Sequence, residues 1–428
     1  MKPVNSFVFA LFVSLCIAGC SRSASSDESS QGTDASVAVS MREESSVAAV
    51  TTESMPQEMT MDYGQGPITM YGYQCLFDDA ERKLYSTIDQ HVKELVPSPF
   101  TVDVSIDVNR LQQVIDIYTL DHPEVFWIDE SLNVEVHDLA SHSYCLRYNC
   151  REEELEKRKQ EMEEEITRFL DSIPKDASDF DKELMINDYL VDLCEYDSDA
   201  PKDDVYVARN EIYSYGALID HLVNCEGYSK AAKLLLDRTG INNVLVGGMA
   251  RDNIPHIWNA VEIAGDWYYL DVTNNDVESP GVPDQFRHHI YFNVTEQHYS
   301  FIDSIDAVYG GAVNEKLALH NLFVPECTAI EENYFYKTCE QISTSDYQKI
   351  VQKTADAAKA GEDHFAFIVD EASDYEHFRS WISDDQHYID LLLSVNELNG
   401  DYPKIETQVP SNYYKSYRVI WINLKYSE

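Results

Sequence analysis

The chain has 428 residues, enough for two or three domains that each bury a core of their own. Asp and Glu number 76 against 32 Lys and Arg, a formal charge of -44. A surface of that sign repels phosphates, which argues against a nucleic-acid partner and leaves a well-solvated surface as the plain reading.

In chain order, residues 1–19 read as an address. Lys2 supplies a positive start, Phe7 to Ile17 is an apolar run too short for a permanent membrane helix, and Ile17-Ala18-Gly19-Cys20 closes it with small residues before a cysteine. The pattern resembles a bacterial lipoprotein signal. It implies cleavage before Cys20, lipidation of Cys20, and a mature protein tethered to the outer side of a membrane at the cell surface. Residues 20–65 are rich in Ser, Thr, Glu and Ala, a composition that reads as a disordered tether.

Export changes the meaning of the remaining cysteines, which are Cys75, Cys145, Cys150, Cys194, Cys225, Cys327 and Cys339. Their number is odd, so pairing leaves one thiol over as a candidate reactive group. Cys145 with Cys150, and Cys327 with Cys339, are close enough in sequence to be plausible bridges. No spaced CxxC and histidine pattern predicts a structural zinc.

Residues 71–150 read as a small α/β domain. Apolar residues at helical spacing predict helices over Asp78 to Val96 and Val108 to Leu120, and strands follow near Val134, Val136 and Tyr144 to Tyr148. Residues 151–310 form the next unit. Its charged opening run, REEELEKRKQEMEEEITRFLDSI from Arg151, predicts a solvated helix with one modest buried face, and a second helix follows over Asp179 to Cys194. Residues 320–428 read as a small α/β module of strand, helix, strand, helix, strand, with no nucleophile set of its own.

The chemistry concentrates in NCEGYSKAAKLLLDRTG, beginning at Asn224. Asn224 is a preferred N-cap and Gly240 a stop, so the helix between them starts at Cys225. Unpaired N–H groups at a helix start favour a thiolate, and a neighbouring imidazolium favours it further. A buried structural thiol is the commoner fate of a lone cysteine on a helix face. What weighs against that fate is HIWNAVEIAGDWYYLDVTNND from His256. A tight turn at Ala264-Gly265 pairs Ile263 with Asp266, and this register sets Trp258 opposite Asp271 and His256 opposite Thr273. His256 and Asp271 are then diagonal neighbours on one face, about 7–8 Å apart at the backbone. The other face carries Ile257, Val261, Ile263, Tyr268, Leu270 and Val272, and a slip of one residue would separate the pair.

YGALIDHLVNCEGYSKAAKLLLDRTGI, then VGG, then the His256 hairpin, resemble the transglutaminase-like domain of bacterial exported proteins, within the papain-like cysteine enzymes. The resemblance covers roughly residues 179–300, including NDYLVDLCEYD and HHIYFNVTEQHYS. It implies an α+β fold in which the cysteine helix packs on an antiparallel sheet, flanked here by smaller α/β modules. It also implies Cys225 as nucleophile, His256 as general base and acid, and Asp271 as the residue that orients the imidazole. Asn224 and Ile257 depart from the commoner family residues at their positions, without removing a catalytic group.

The expected activity is a cysteine hydrolase, protease or amidase, that forms a thioester on peptide or amide bonds, with transamidation as its chemical neighbour. Substrates would be proteins or peptides, cell-wall peptide among them. The Cys225 N–H is the expected oxyanion donor, with Tyr215 a weaker candidate whose packing role is favoured, and Trp258 a wall of the groove or a core residue. No cofactor or metal is implied: some animal relatives need calcium, but the acidic clusters here lack an EF-hand pattern. The alternative class is a noncatalytic surface binding or scaffold protein that keeps the fold.

Overall fold

The computed structural model describes residues 60–62, 67–74, 76, 78–94, 100–101, 106, 108–128, 134–138, 143–146, 148–197, 210–250, 254–277, 282–299, 302–304, 324–400 and 402–427. The expected signal, Cys20 and the expected tether up to residue 59 lie outside the described residues; Thr60–Asp62, expected at the end of the disordered tether, instead form a strand that pairs antiparallel with Pro67–Thr69, where the backbone bonds of a ladder hold them. Among those described, no helix is long and apolar enough to cross a membrane.

The fold is α+β. The periodic stretches form the helices α1 (Asp79–Glu94) and α2 (Val108–Asp121), then the strands β1 (Val134–Asp138) and β2 (Ser143–Leu146). Next come α3 (Glu152–Leu170) and α4 (Asp179–Leu193). The charged helix α3 buries one stripe, Leu155, Met162, Ile166 and Phe169, as its spacing requires. Ser178 opens α4 with a reciprocal capping box to Asp181.

Two short parallel strands, β3 (Glu195–Tyr196) and β4 (Leu222–Val223), then deliver the chain to α5 (Cys225–Thr239). Asn224 Oδ1 accepts the Glu226 and Gly227 N–H groups at 2.9 and 3.2 Å, and Gly240 ends the helix in the left-handed region at φ 80°. Gly227 is required by a close approach: a Cβ there would lie 2.3 Å from the Glu211 carbonyl oxygen. That same oxygen accepts the Asn224 N–H at 3.0 Å, so the 211 segment is locked against the helix head.

Helix α5 is buried on every side, which its sequence does not announce. Its i,i+4 charges look like a solvated face, yet Lys230 is paired with Glu226 at 2.9 Å and Lys233 with Asp237 at 3.1 Å inside the protein. Burial at this depth is tolerable only because each charge keeps a partner.

Beyond α5 lies a sheet of β5 (Asn243–Ala250), β6 (Ile254–Ile263), β7 (Asp266–Leu270) and β8 (Ile302–Ser304), in the order β7-β6-β5-β8. All its pairings are antiparallel. The turn is the one expected, Ile263 pairing with Asp266, and both Ala264 (φ 56°) and Gly265 (φ 94°) take positive φ as a type I′ turn demands. The two faces separate as alternation requires. Leu245, Val261, Ile263, Tyr268, Leu270 and, past the strand, Val272 join the core built by α1 to α5. Val244, Val246, Trp258, Ala260 and Tyr269 join a second core on the other side.

That second core is shared with the C-terminal region through Phe335, Ile368, Tyr417, Val419 and Trp421. There the chain forms β9 (Glu340–Ile342), α6 (Tyr347–Ala360), β10 (His364–Val369), α7 (Ala372–Ile382), α8 (Asp385–Asn399), β11 (Ser411–Tyr414) and β12 (Val419–Asn423). The sheet order is β9-β10-β12-β11. Helix α8 and strand β11 are additions to the expected pattern. Asp384 caps α8, accepting the Gln386 and His387 N–H groups at 3.0 and 3.2 Å.

The expected disulfides are not formed. Cys150, Cys194, Cys225, Cys327 and Cys339 are all free thiols, so neither Cys327 with Cys339 nor Cys145 with Cys150 is bridged. Closeness in sequence does not supply the Cα separation and Cβ direction that a disulfide needs.

Candidate active site

The site is assembled where the head of α5 meets the start of β6 and the end of β7. Cys225 occupies the first helical position, so its N–H has no acceptor within the helix. One turn on, Ser229 Oγ donates to the Ile257 carbonyl at 3.0 Å, and Asn259 Nδ2 donates to the Ser229 carbonyl at 3.0 Å. These bonds tie the helix head to β6 on either side of Trp258 and directly beside His256. Across the sheet, the partner of His256 is Gly248, so no side chain stands directly opposite the imidazole on β5.

Asp271 departs from the expected geometry in an instructive way. The register holds through Leu270, which pairs with Asn259, but the strand then stops, so Trp258 does not face Asp271 nor His256 face Thr273 as ladder partners. Asp271 instead caps a short helix, Val272–Asn275, its Oδ1 accepting the Asn274 N–H at 3.1 Å. The cap turns the carboxylate toward β6, and Oδ2 accepts from His256 Nε2 at 2.9 Å. Asn275 anchors this turn from behind: its Nδ2 donates to Asn187 Oδ1 of α4 at 2.9 Å and its Oδ1 accepts the Tyr291 N–H at 2.8 Å.

Nε2 is committed to Asp271, and His256 is also hydrogen-bonded to the Cys225 thiol. Cys225 and Asp271 are 1% exposed and His256 8%, so the set is withdrawn from bulk water and its charge interactions are strengthened. Burial alone would lower the His256 pKa, but the Asp271 carboxylate, its hydrogen bond and Cys225 outweigh it and hold the pKa at about 10. For Asp271 the balance is similar. Burial pushes its carboxyl up, and His256, Tyr299 and Asn274 together bring it below the usual carboxylate range.

Burial pushes Cys150, Cys194, Cys327 and Cys339 up, the last to about 11, which leaves them poor nucleophiles. Among the described residues, Cys225 is the thiol with a histidine hydrogen-bonded to it.

Trp258 is fully buried, its indole stacked on His256 at 5.9 Å between ring centroids, so it is both core and wall. Tyr215 is not brought into the set. Its hydroxyl donates to Glu161 of α3 at 3.2 Å, and its ring packs against Phe126, with the Arg158 guanidinium over both rings. Tyr196 was not singled out from the sequence, although it stands in CEYD within the resembling stretch. It pairs with Val223 immediately before the helix, and its phenol lies within electrostatic reach of both Cys225 and Asp271. Tyr299 and Asn274 were missed as well: each donates to Asp271 Oδ2. Among the described residues, no group of three or more His, Cys, Asp or Glu is arranged to hold a metal ion.

No protein-family model matches the sequence, and no curated protein matches it. Solved structures do. One, described as the crystal structure of a TGase, shares 19% identity over 31% of this chain and 40% of its own, with a TM-score of 0.25. Another, a "Putative Cysteine Protease" from Cytophaga hutchinsonii, shares 16% identity over 27% of this chain and 37% of its own, with a TM-score of 0.21. The chain thus spans well under half the length of either.

Proposed function

We propose that this protein is a transglutaminase-like cysteine hydrolase, a peptidase or amidase, acting through a thioester on peptide or carboxamide bonds. The observation that carries this reading is the line from Asp271 through His256 Nε2 at 2.9 Å to the Cys225 thiol at a helix head. The thiolate of Cys225 attacks the substrate carbonyl, a C–S bond forms, and the carbonyl electrons move to an oxyanion. The Cys225 N–H is a donor by position to that oxyanion, and Tyr196, whose phenol burial keeps protonated, is a second candidate donor. Collapse breaks the C–N bond, and His256 gives its proton to the departing amine. Water, deprotonated by His256, then attacks the thioester and releases the acid and the thiol. An amine in place of water gives transamidation. Asp271 stays ionised throughout and holds the imidazole in place.

The sequence of residues 1–20 supports a cell-surface location, with the lipid on Cys20 as the anchor and proteins or cell-wall peptides as substrates within reach. Incorporation of an alkynyl fatty acid, lost in Cys20→Ala, is the expected result for the anchor.

The chemistry is tested by iodoacetamide labelling at neutral pH. Cys225 is expected to react faster than an ordinary thiol, and His256→Ala to slow it. If Cys225 is no faster than an ordinary thiol and His256→Ala changes nothing, the enzyme reading is wrong. Casein, muropeptides and amine donors then separate protease, amidase and transamidase.

A further inference from the structure

We infer that Tyr299 and Asn274 are positioning residues for this reaction, clamping Asp271 so that it holds the imidazole toward Cys225. The inference rests on the cysteine-enzyme reading above. Asp271 Oδ2 accepts from His256 Nε2, from the Tyr299 hydroxyl and from Asn274 Nδ2, while Oδ1 accepts the Asn274 N–H at 3.1 Å. Three donors converge on Oδ2, which has about two lone-pair directions, and a fourth holds Oδ1, so the carboxylate is held at both oxygens against turning.

The clamp reaches Asp271 from separate parts of the chain. Asn274 sits on the same short helix, 3 residues on, and its Nδ2 also lies 3.2 Å from His256 Nε2. Tyr299 comes from 28 residues downstream, at the end of a turn capped by Thr295, whose carbonyl accepts the Tyr299 N–H at 2.9 Å. The Tyr299 ring packs edge-on against Trp258 at 5.2 Å, and Trp258 in turn stacks on His256 at 5.9 Å. Tyr299 therefore bears on both partners, on Asp271 through its hydroxyl and on His256 through the indole. Burial and Asp271 push the Tyr299 pKa well above its ordinary value, so the phenol is a permanent donor.

The test uses the full chain and the rate of Cys225 alkylation by iodoacetamide at neutral pH, followed by mass spectrometry. Tyr299→Phe keeps the ring on Trp258 and removes only the hydroxyl; Asn274→Ala removes only the amide. Each is expected to slow Cys225 about tenfold, the effect of one lost charge-assisted hydrogen bond. In a His256→Ala background neither is expected to slow it further, because both act through the imidazole. A general packing role would slow the reaction equally with and without His256, and that result overturns the inference. So does a wild-type rate in both variants while His256→Ala is slow, which leaves the enzyme reading standing. Should Tyr299→Phe fail to fold, Asn274→Ala, on a partly exposed residue, carries the test alone. If the wild type itself reacts no faster than His256→Ala, the enzyme reading falls and the clamp with it.

Discussion

The two ends of helix α5 carry two buried aspartate clusters that behave in opposite ways. At the head, Asp271 faces His256, Tyr299 and Asn274, and its pKa is lowered. Further along, Asp237 faces Lys233 at 3.1 Å and Asn243 Nδ2 at 2.8 Å, yet burial, with Glu124 adding to it, raises its pKa to about 6. Asp237 is 3% exposed and Asp271 1%, so depth does not separate them. The number and direction of donors does. The aspartate beside His256 is over-supplied with donors, whereas the aspartate that ties α5 to its neighbours is only matched.

The largest effect should come from breaking the structural pair. Lys233→Ala leaves Asp237 buried without its cation and is expected to cost about 3–5 kcal/mol in urea unfolding. Asp271→Asn sharpens the contrast at the head. It removes the carboxylate that holds His256 at about 10, and an NMR titration of the ring should find its midpoint at least about three units lower. The loss of stability expected for Asp271→Asn is smaller than for Lys233→Ala, since the asparagine carbonyl still accepts hydrogen bonds.

The two aspartates should also respond to pH with opposite signs. The folded pKa of Asp237, about 6, lies above its unfolded value of 3.8, so its contribution is full below 3.8 and is lost as pH rises through 6. Asp237→Asn should erase that loss, a difference from wild type of about 2 kcal/mol between pH 4 and pH 7 in denaturant melts. Asp271 is lowered, so its contribution is present above its unfolded value and fades as pH falls through the folded one. His256 supplies the alkaline limit, its contribution lost as pH rises through about 10. The smallest effect belongs to Tyr215→Phe. Removing its bond to Glu161 should cost under about 1 kcal/mol and leave Cys225 alkylation unchanged.

What was legible in the sequence was local. Asn224 and Gly240 marked the ends of α5, and Ala264-Gly265 marked the turn, because caps and turns are written in a few adjacent residues. The alternation of β6 and β7 placed the apolar face correctly for the same reason. The rest depended on distance. Asp271 left the strand because its side chain capped a new helix, while WYYLDV alone continued the alternation. The burial of Lys230, Lys233 and Asp237 has no sign in the sequence of α5, since nothing within the helix shows what covers it. Tyr299, 28 residues beyond Asp271, carried no local sign of its bond to that carboxylate. Helix α8 was legible in principle through its Asp384 cap, but the Leu391-Leu392-Leu393 run blurs its period.

The shared aromatic core between the β6 sheet and the C-terminal region bears on where this chain can be cut. A protein shortened after residue 310 would lose Phe335, Tyr417 and Trp421 and uncover Val244, Val246 and Tyr269, with Trp258 beneath His256 left wet on one side. The C-terminal region thus covers the far face of the sheet that carries His256, and the shortened chain should aggregate or bind a dye such as ANS where the full chain does not.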